Sequence, residues 1–120
     1  MEASSIVLME KVNGILEKEL GSYEISEGLQ CVYKAYVEAD SVYMYLTTEG
    51  DVDDQQYTEL FEGYDIERME RLGIKVTEDD EEYNPVWQLA FPFIEEHQLM
   101  EKRLNEILIL HVSMLQSIIG

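Results

Sequence analysis

The strongest hydrophobic pattern in the chain runs from Phe93 to Ile119. Apolar residues recur there at intervals of three and four, which is the spacing that lines one face of an α-helix. These residues are Met100, Leu104, Ile107, Leu108, Leu115 and Ile118. Pro92 suits a first helical position, and Glu95 and Glu96 would place negative charge near the positive end of the helix dipole. The pattern predicts one long C-terminal helix.

A second face of this helix is also apolar, through Ile109, Leu110, Val112 and Met114. A helix that is apolar around most of its circumference cannot lie with one side in water. We therefore expect it to be covered from two directions, by its own domain and by a second copy of the chain in a two-fold homodimer. The predicted dimer interface consists of Leu104, Ile107, Leu108, His111, Leu115 and Ile118.

Two hairpins are predicted in the N-terminal half. A strand over residues 5–12 would place Ile6, Leu8 and Val12 on one side, and Asn13-Gly14 follows, a pair that favours the positive φ angles of a type I′ turn. Residues 15–20 would form the returning strand, with a short helix as the alternative because Glu17, Lys18 and Glu19 are all charged. The second hairpin pairs residues 29–37 with residues 42–48.

The last of these strands has two different faces. One side carries Val42, Met44 and Leu46, and the other carries Tyr43, Tyr45 and Thr47. Tyr36 is expected to join the tyrosines on the outer face. Tyrosine is enriched at protein interfaces, but we favour cross-strand packing with the hydroxyl groups in water.

The middle of the chain predicts two short helices. Asp53 is a good N-cap, and Gln56 stands in the reciprocal position of a capping box. An apolar stripe follows at Tyr57, Leu60, Phe61 and Tyr64. Asp65 would cap the second helix, and Gly73 would end it in the left-handed conformation.

A short strand over residues 74–77, an acidic loop over residues 78–82 and a strand near Trp87 are predicted next. Trp87, Leu89, Phe91 and Phe93 alternate as in a strand, whereas Asn84-Pro85 could instead begin a short helix. The predicted fold is α+β. Its antiparallel sheet of four to five strands, made by the N-terminal hairpins and the strand near Trp87, is covered on one face by the two short helices and the long C-terminal helix. Residues 1–120 are expected to form a single domain, since the sequence contains no linker.

Charge sets this sequence apart more than any motif does. The chain has 26 acidic and 8 basic residues, a net charge of −18, and residues 49–84 alone hold 14 acids against 3 bases. Direct binding to nucleic acid or to an anionic membrane is not expected, because both need lysine and arginine. The predicted contact surface for a basic protein partner is Asp51, Asp53, Asp54, Glu78, Asp79, Asp80, Glu81 and Glu82. A purely solubilising coat and adaptation to high salt would explain the same charge.

No residue set predicts catalysis, a metal or a cofactor. Residues 51–62 carry acids at some positions of a calcium-binding loop, but Gln56 stands where the sharp turn requires glycine. His97, His111 and Cys31 lack metal-ligand spacing, and His111 is interpreted as a hydrogen-bonded histidine of the core or of an interface. The single cysteine, the missing signal peptide and the missing apolar span predict a cytoplasmic protein.

The predicted function is therefore a non-catalytic acidic protein-interaction or regulatory module that forms homodimers. Two alternatives stay open. One is a polyanion mimic that inhibits a nucleic-acid-binding protein by occupying its nucleic-acid site. The other is a small enzyme that uses Cys31 with His97 or His111.

Overall fold

A computed structural model of the protein describes residues 4–120. It contains a six-stranded sheet in the order β2-β1-β3-β4-β6-β5, with three helices on one side of it. The elements are β1 (Ser5–Val12), β2 (Ile15–Glu24), β3 (Val32–Glu38), β4 (Ser41–Leu46), α1 (Asp54–Gly63), α2 (Ile66–Arg71), β5 (Lys75–Asp79), β6 (Val86–Pro92) and α3 (His97–Ile119). A single 3-10 turn, Leu29–Cys31, precedes β3.

The α+β class and the long C-terminal helix are confirmed, but the sheet differs from the predicted one. It has six strands instead of four or five, and it is mixed, because β1 and β3 pair in parallel through Glu10 and Val37. The segment after β2 carries the chain past β1 to its other side, so β3 runs in the same direction as β1. The sixth strand is β5, which pairs with β6 at the sheet edge.

Local turn and capping signals are confirmed where they were strongest. Asn13 and Gly14 have φ angles of 53° and 82°, as a type I′ hairpin requires, and β2 replaces the alternative helix over residues 15–20. The Asp53 carboxylate accepts a hydrogen bond from the Gln56 N–H at 2.8 Å, and the Gln56 side chain accepts one from the Asp53 N–H at 3.2 Å. Asp65 caps α2 through one hydrogen bond, which its carboxylate accepts from the Arg68 N–H at 3.0 Å.

Helix α3 starts later than predicted. Pro92 is the last residue of β6, so the predicted strand near Trp87 is confirmed and the predicted helix start at Pro92 is wrong. The Phe93 N–H donates to the Asp40 carbonyl at 2.8 Å, which keeps the chain extended beyond the strand. The helix begins at His97, where the Glu96 side chain accepts a hydrogen bond from the Leu99 N–H at 2.8 Å.

The core lies between the sheet and the helices. The inner face of the sheet contributes Val42, Met44, Leu46, Trp87, Leu89 and Phe91, and α3 contributes Met100, Leu104, Ile107, Leu108, Leu110, His111, Met114 and Leu115. Burial of each large apolar side chain contributes about 1.5–3 kcal/mol relative to exposure. Leu110 and Met114, on the second apolar face of α3, are thus buried within the same chain, whereas Ile109 stays 44% exposed.

The opposite face of the sheet, here called the open face, carries tyrosines and lysines. The Tyr36 ring stacks on those of Tyr43 and Tyr45, with centroid separations of 5.5 and 6.4 Å. The Lys11 and Lys34 ammonium groups each lie 4.4 Å from a ring centroid, over Tyr36 and Tyr45 respectively. Tyr36 therefore joins the outer tyrosines as predicted, and none of the helices within residues 4–120 covers this face.

Close contact between the segment before β3 and helix α3 makes Gly28 sensitive to substitution. Gly28 has a φ of 93°, and an added Cβ would lie 3.1 Å from Leu108 Cβ and 3.1 Å from Val112 Cγ2. Gly14 has a φ of 82° but nothing within 4 Å, so Gly14→Ala is a matched control. Both substitutions should lower the free energy of unfolding by about 1–2 kcal/mol, because alanine is strained in the left-handed conformation. Gly28→Ala should lower it by about 1–3 kcal/mol more, because the added methyl group overpacks the contact with α3.

Urea denaturation followed by circular dichroism measures both losses in unfolding free energy. Equal losses for the two variants would contradict the close approach of the Gly28 segment to α3.

Candidate functional site

A groove forms where the start of α1 faces the loop between β5 and β6. It is lined by Val52, Asp53, Asp54, Tyr57, Thr58, Asp80, Glu82 and Tyr83, and we call it the acidic groove. The structure thus brings together the two acidic segments that the sequence keeps far apart, residues 51–54 and residues 78–82.

Neutral hydrogen-bonding groups hold the two segments of the acidic groove in place. The Asn84 side chain accepts a hydrogen bond from the Val52 N–H at 3.2 Å and donates one to the Asp51 carboxylate at 3.0 Å. The Tyr57 hydroxyl donates to the Glu82 carbonyl at 3.3 Å. Among residues 4–120, no lysine or arginine forms a salt bridge with a carboxylate of the groove. The groove is therefore built without neutralising its own charge.

The predicted acidic residues do not all lie in the acidic groove. Four of the eight line it: Asp53, Asp54, Asp80 and Glu82. Asp51 contacts Asn84 beside it, and Glu81 lies in the loop. Glu78 and Asp79 belong to β5, so the prediction that residues 78–82 are all loop is wrong at its first two positions. The backbone pairing of these two residues with Trp87 and Val86 extends the strand into the acidic run.

Two aromatic residues of the acidic groove were not predicted to belong to it. Tyr57 was predicted only as part of the apolar stripe of α1, and Tyr83 was not predicted as a site residue. Tyr83 is 79% exposed, and the pKa of Tyr57 is raised by burial and then by the charges of Asp80, Asp79 and Glu82. The part of this shift that the three carboxylates cause shows that their charges reach Tyr57. The sequence signal was the position of Tyr83 directly after the acidic run.

The acidic side chains of the groove are spread along it and do not converge. Within the described part of the chain, no group of three or more His, Cys, Asp or Glu side chains is placed to hold a metal ion.

His111 of α3 takes part in a buried hydrogen-bond network beside the inner face of the sheet. Its Nδ1 is 2.7 Å from the Tyr64 hydroxyl, and its Nε2 is 2.8 Å from the Thr47 carbonyl oxygen. A carbonyl oxygen can only accept, so Nε2 carries the proton and Nδ1 accepts from the Tyr64 O–H. The Trp87 ring packs against both residues, at centroid separations of 4.3 Å from Tyr64 and 5.5 Å from His111.

This environment keeps His111 neutral. Burial lowers its pKa to about 4, against a smaller opposing effect of the hydrogen bond to Thr47. Burial also raises the pKa of Tyr64. His111 is therefore a hydrogen-bonded residue of the core.

The other residues of the predicted dimer interface are also largely covered by their own chain. Leu104, Ile107, Leu108 and Leu115 are buried, and Ile118 is half-buried. Their burial removes the need for a second chain to cover them. Homodimer formation itself stays a prediction.

Cys31 and the histidines do not form a catalytic pair. The thiol is buried, and burial, followed by the charge of Glu49, raises its pKa to about 11. Both ring nitrogens of His111 already have other partners. The His97 ring stacks on Tyr23 at 4.7 Å and lies 3.6 Å from Glu101, at the opposite end of α3. The enzyme alternative thus gains no support from this geometry, because no imidazole is placed to activate the thiol.

The fold and the acidic groove together define a small α+β protein with a concentrated negative surface. The chain belongs to the Family of unknown function (DUF6762), whose model matches residues 1–120. Comparisons with curated proteins and with solved structures gave no match. Within residues 4–120, no helix combines the length and the apolar character needed to cross a membrane.

The buried neutral state of His111 predicts a specific pH dependence. Its pKa is about 4 in the folded chain and should be near 6.5 in the unfolded chain. Between these values the unfolded chain binds one more proton, so folding stability falls as the pH falls from 6.5 to about 4. The total loss of folding stability that His111 causes is about 3 kcal/mol, and this loss does not grow further below pH 4.

The measurement is the unfolding free energy of the wild type and of His111→Gln between pH 4 and 7. The His111→Gln curve should lose less stability on acidification than the wild type. Parallel curves for the two proteins would contradict the assignment.

Proposed function

We propose that this protein is a non-catalytic interaction module that binds a basic segment of a partner protein in the acidic groove. One observation carries the proposal: carboxylates from two distant segments line a single groove that no cation of the described chain neutralises. Clefts lined with charge of one sign focus the electrostatic potential and attract ligands of the opposite sign.

The aromatic residues of the acidic groove are also suited to contact a basic segment. Tyr83 is exposed and Tyr57 is half-buried, so both present ring surface beside the carboxylates. Lysine and arginine side chains can contact tyrosine faces through cation–π interactions while their charged ends approach carboxylates. The groove therefore offers more than net charge, and it differs in this respect from a uniform soluble coat.

Binding of a fluorescent octalysine peptide tests the proposal, with anisotropy measured at low salt and at high salt. The groove variant combines Asp53→Asn, Asp54→Asn, Asp80→Asn and Glu82→Gln, and asparagine at position 53 keeps the N-cap. The control variant removes the same number of charges from exposed acids elsewhere, at Glu17, Glu19, Glu27 and Glu95.

We expect the groove variant to bind the octalysine peptide about tenfold more weakly than the control variant, and binding by the wild type to weaken steeply as salt is added. Equal losses for the two variants would mean that the acids act only as a coat. Improved folding at high salt, without peptide binding, would instead support adaptation to salt. A polyanion mimic would use the same groove, and DNA would then displace the protein from its basic partner.

We also propose a homodimer, formed through the open face of the sheet. This face carries Lys11, Lys34 and Lys75 among the tyrosines, and these positive charges reduce the repulsion between two chains of net charge −18. Six strands of this length present roughly 600 Å² of flat area, which is close to the share that each partner contributes to a standard interface.

Light scattering coupled to size-exclusion chromatography tests the dimer with two variants. Tyr43→Glu, on the open face, should yield monomers, whereas Ile109→Glu, on the exposed side of α3, should leave the dimer intact. A monomeric wild type at about 100 μM would contradict the dimer, since a standard interface supports micromolar or tighter affinity. If only Ile109→Glu abolished the dimer, the interface would lie on helix α3 instead.

A further inference from the structure

A second concavity lies on the other side of the segment that forms one wall of the acidic groove. It encloses about 290 Å³ between the end of α3 and residues 49–52, and we call it the Cys31 cavity. Its apolar wall includes Val112, Leu115 and Ile119, its rim carries the carboxylates of Glu49 and Asp51, and the buried Cys31 lies at its base.

The Cys31 cavity and the acidic groove adjoin each other. Val52 contributes to the lining of both, so residues 49–54 form the ridge between them. A bound polypeptide lying along the groove can therefore insert one side chain across the ridge into the cavity.

We propose that the Cys31 cavity is the anchor pocket for one apolar side chain, such as leucine, within the basic segment that the acidic groove binds. This proposal rests on the proposed function and adds the chemistry of the partner: an apolar residue flanked by lysine or arginine. An apolar anchor in a pocket, surrounded by polar contacts, is the usual organisation of a strong binding site.

The size of the Cys31 cavity favours a side chain over a larger ligand. Pockets for drug-sized molecules and cofactors span roughly 300–1,000 Å³. At about 290 Å³, this cavity falls at the lower limit of that range. The charge of the rim defines what flanks the anchor, because Glu49 and Asp51 are acidic and no lysine or arginine among residues 4–120 lines the cavity.

Several polar groups around the Cys31 cavity are already hydrogen-bonded within the chain. The Thr48 hydroxyl donates to the Gly50 carbonyl at 2.6 Å, and the Gln56 side chain accepts from the Asp53 N–H. Asp51 is oriented by the Asn84 amide at 3.0 Å. The Cys31 thiol is uncharged at neutral pH because burial raises its pKa. An apolar side chain therefore enters without leaving these groups unpaired.

Val112 and Leu115 provide a direct reporter of occupancy, because both line the Cys31 cavity. The experiment uses two peptides, Lys-Lys-Lys-Leu-Lys-Lys-Lys and the same peptide with alanine at the centre. Affinity is measured by anisotropy, and occupancy by the NMR chemical shifts of the Val112 and Leu115 methyl groups. The leucine peptide should bind about tenfold tighter and shift these methyl resonances, while the alanine peptide should bind without shifting them.

One variant that fills the Cys31 cavity, and a control variant, test whether this cavity causes the preference for the leucine peptide. Ile119→Trp places a larger side chain in the Cys31 cavity and should abolish the preference for leucine, with circular dichroism confirming the fold. Ile109→Trp makes the same substitution on the exposed side of α3 and should preserve the preference.

Each result separates the anchor pocket from the acidic groove. Equal binding of the two peptides, with unchanged methyl resonances of Val112 and Leu115, would overturn the anchor pocket while leaving the groove intact. A leucine preference that survives Ile119→Trp would overturn it as well. If neither peptide bound the wild type, the proposed function itself would fail.

Discussion

The packing of α3 against the inner face of the sheet is the contact on which the rest of the structure depends. His111 fixes this contact, because its two ring nitrogens join Tyr64, at the end of α1, to Thr47, just beyond β4. An unpaired buried hydrogen-bonding group costs about 1–3 kcal/mol, and a shift of α3 along the sheet would break the hydrogen bonds of both ring nitrogens. The network therefore sets the position of α1 as well as that of α3. Through α1 it also sets the position of Asp53 and Asp54 relative to the loop after β5.

The parts of the fold that were predicted correctly are those encoded over a few neighbouring residues. Asn13-Gly14 determines its turn through backbone sterics, and Asp53 with Gln56 caps α1 through hydrogen bonds three residues apart. The parallel pairing of β1 with β3 depends instead on where the chain passes after β2, which no local pattern specifies. The start of α3 was predicted too early for a similar reason. Pro92 is compatible with both a helix start and a strand end, and the pairing of β6 with β4 decides between them.

The apolar circumference of α3 was predicted correctly from the sequence. Periodicity shows which residues avoid water and does not show what lies beside them. Leu110 and Met114 are buried with the rest of the core, so the chain itself covers these two residues, and a second copy against α3 stays a prediction. The acidic residues of the candidate site were likewise visible in the sequence. Their meeting with Tyr83 and Asn84 was not, because it requires the folded hairpin of β5 and β6 to face the start of α1.

Native-state hydrogen exchange at the backbone amides of residues 104–115 tests whether α3 is held in the core by its own sheet and by His111. If it is, these amides exchange only through global unfolding, with the same free energy as the central strands β4 and β6. Exchange of α3 at a much lower free energy, while the strands stay protected, would contradict it.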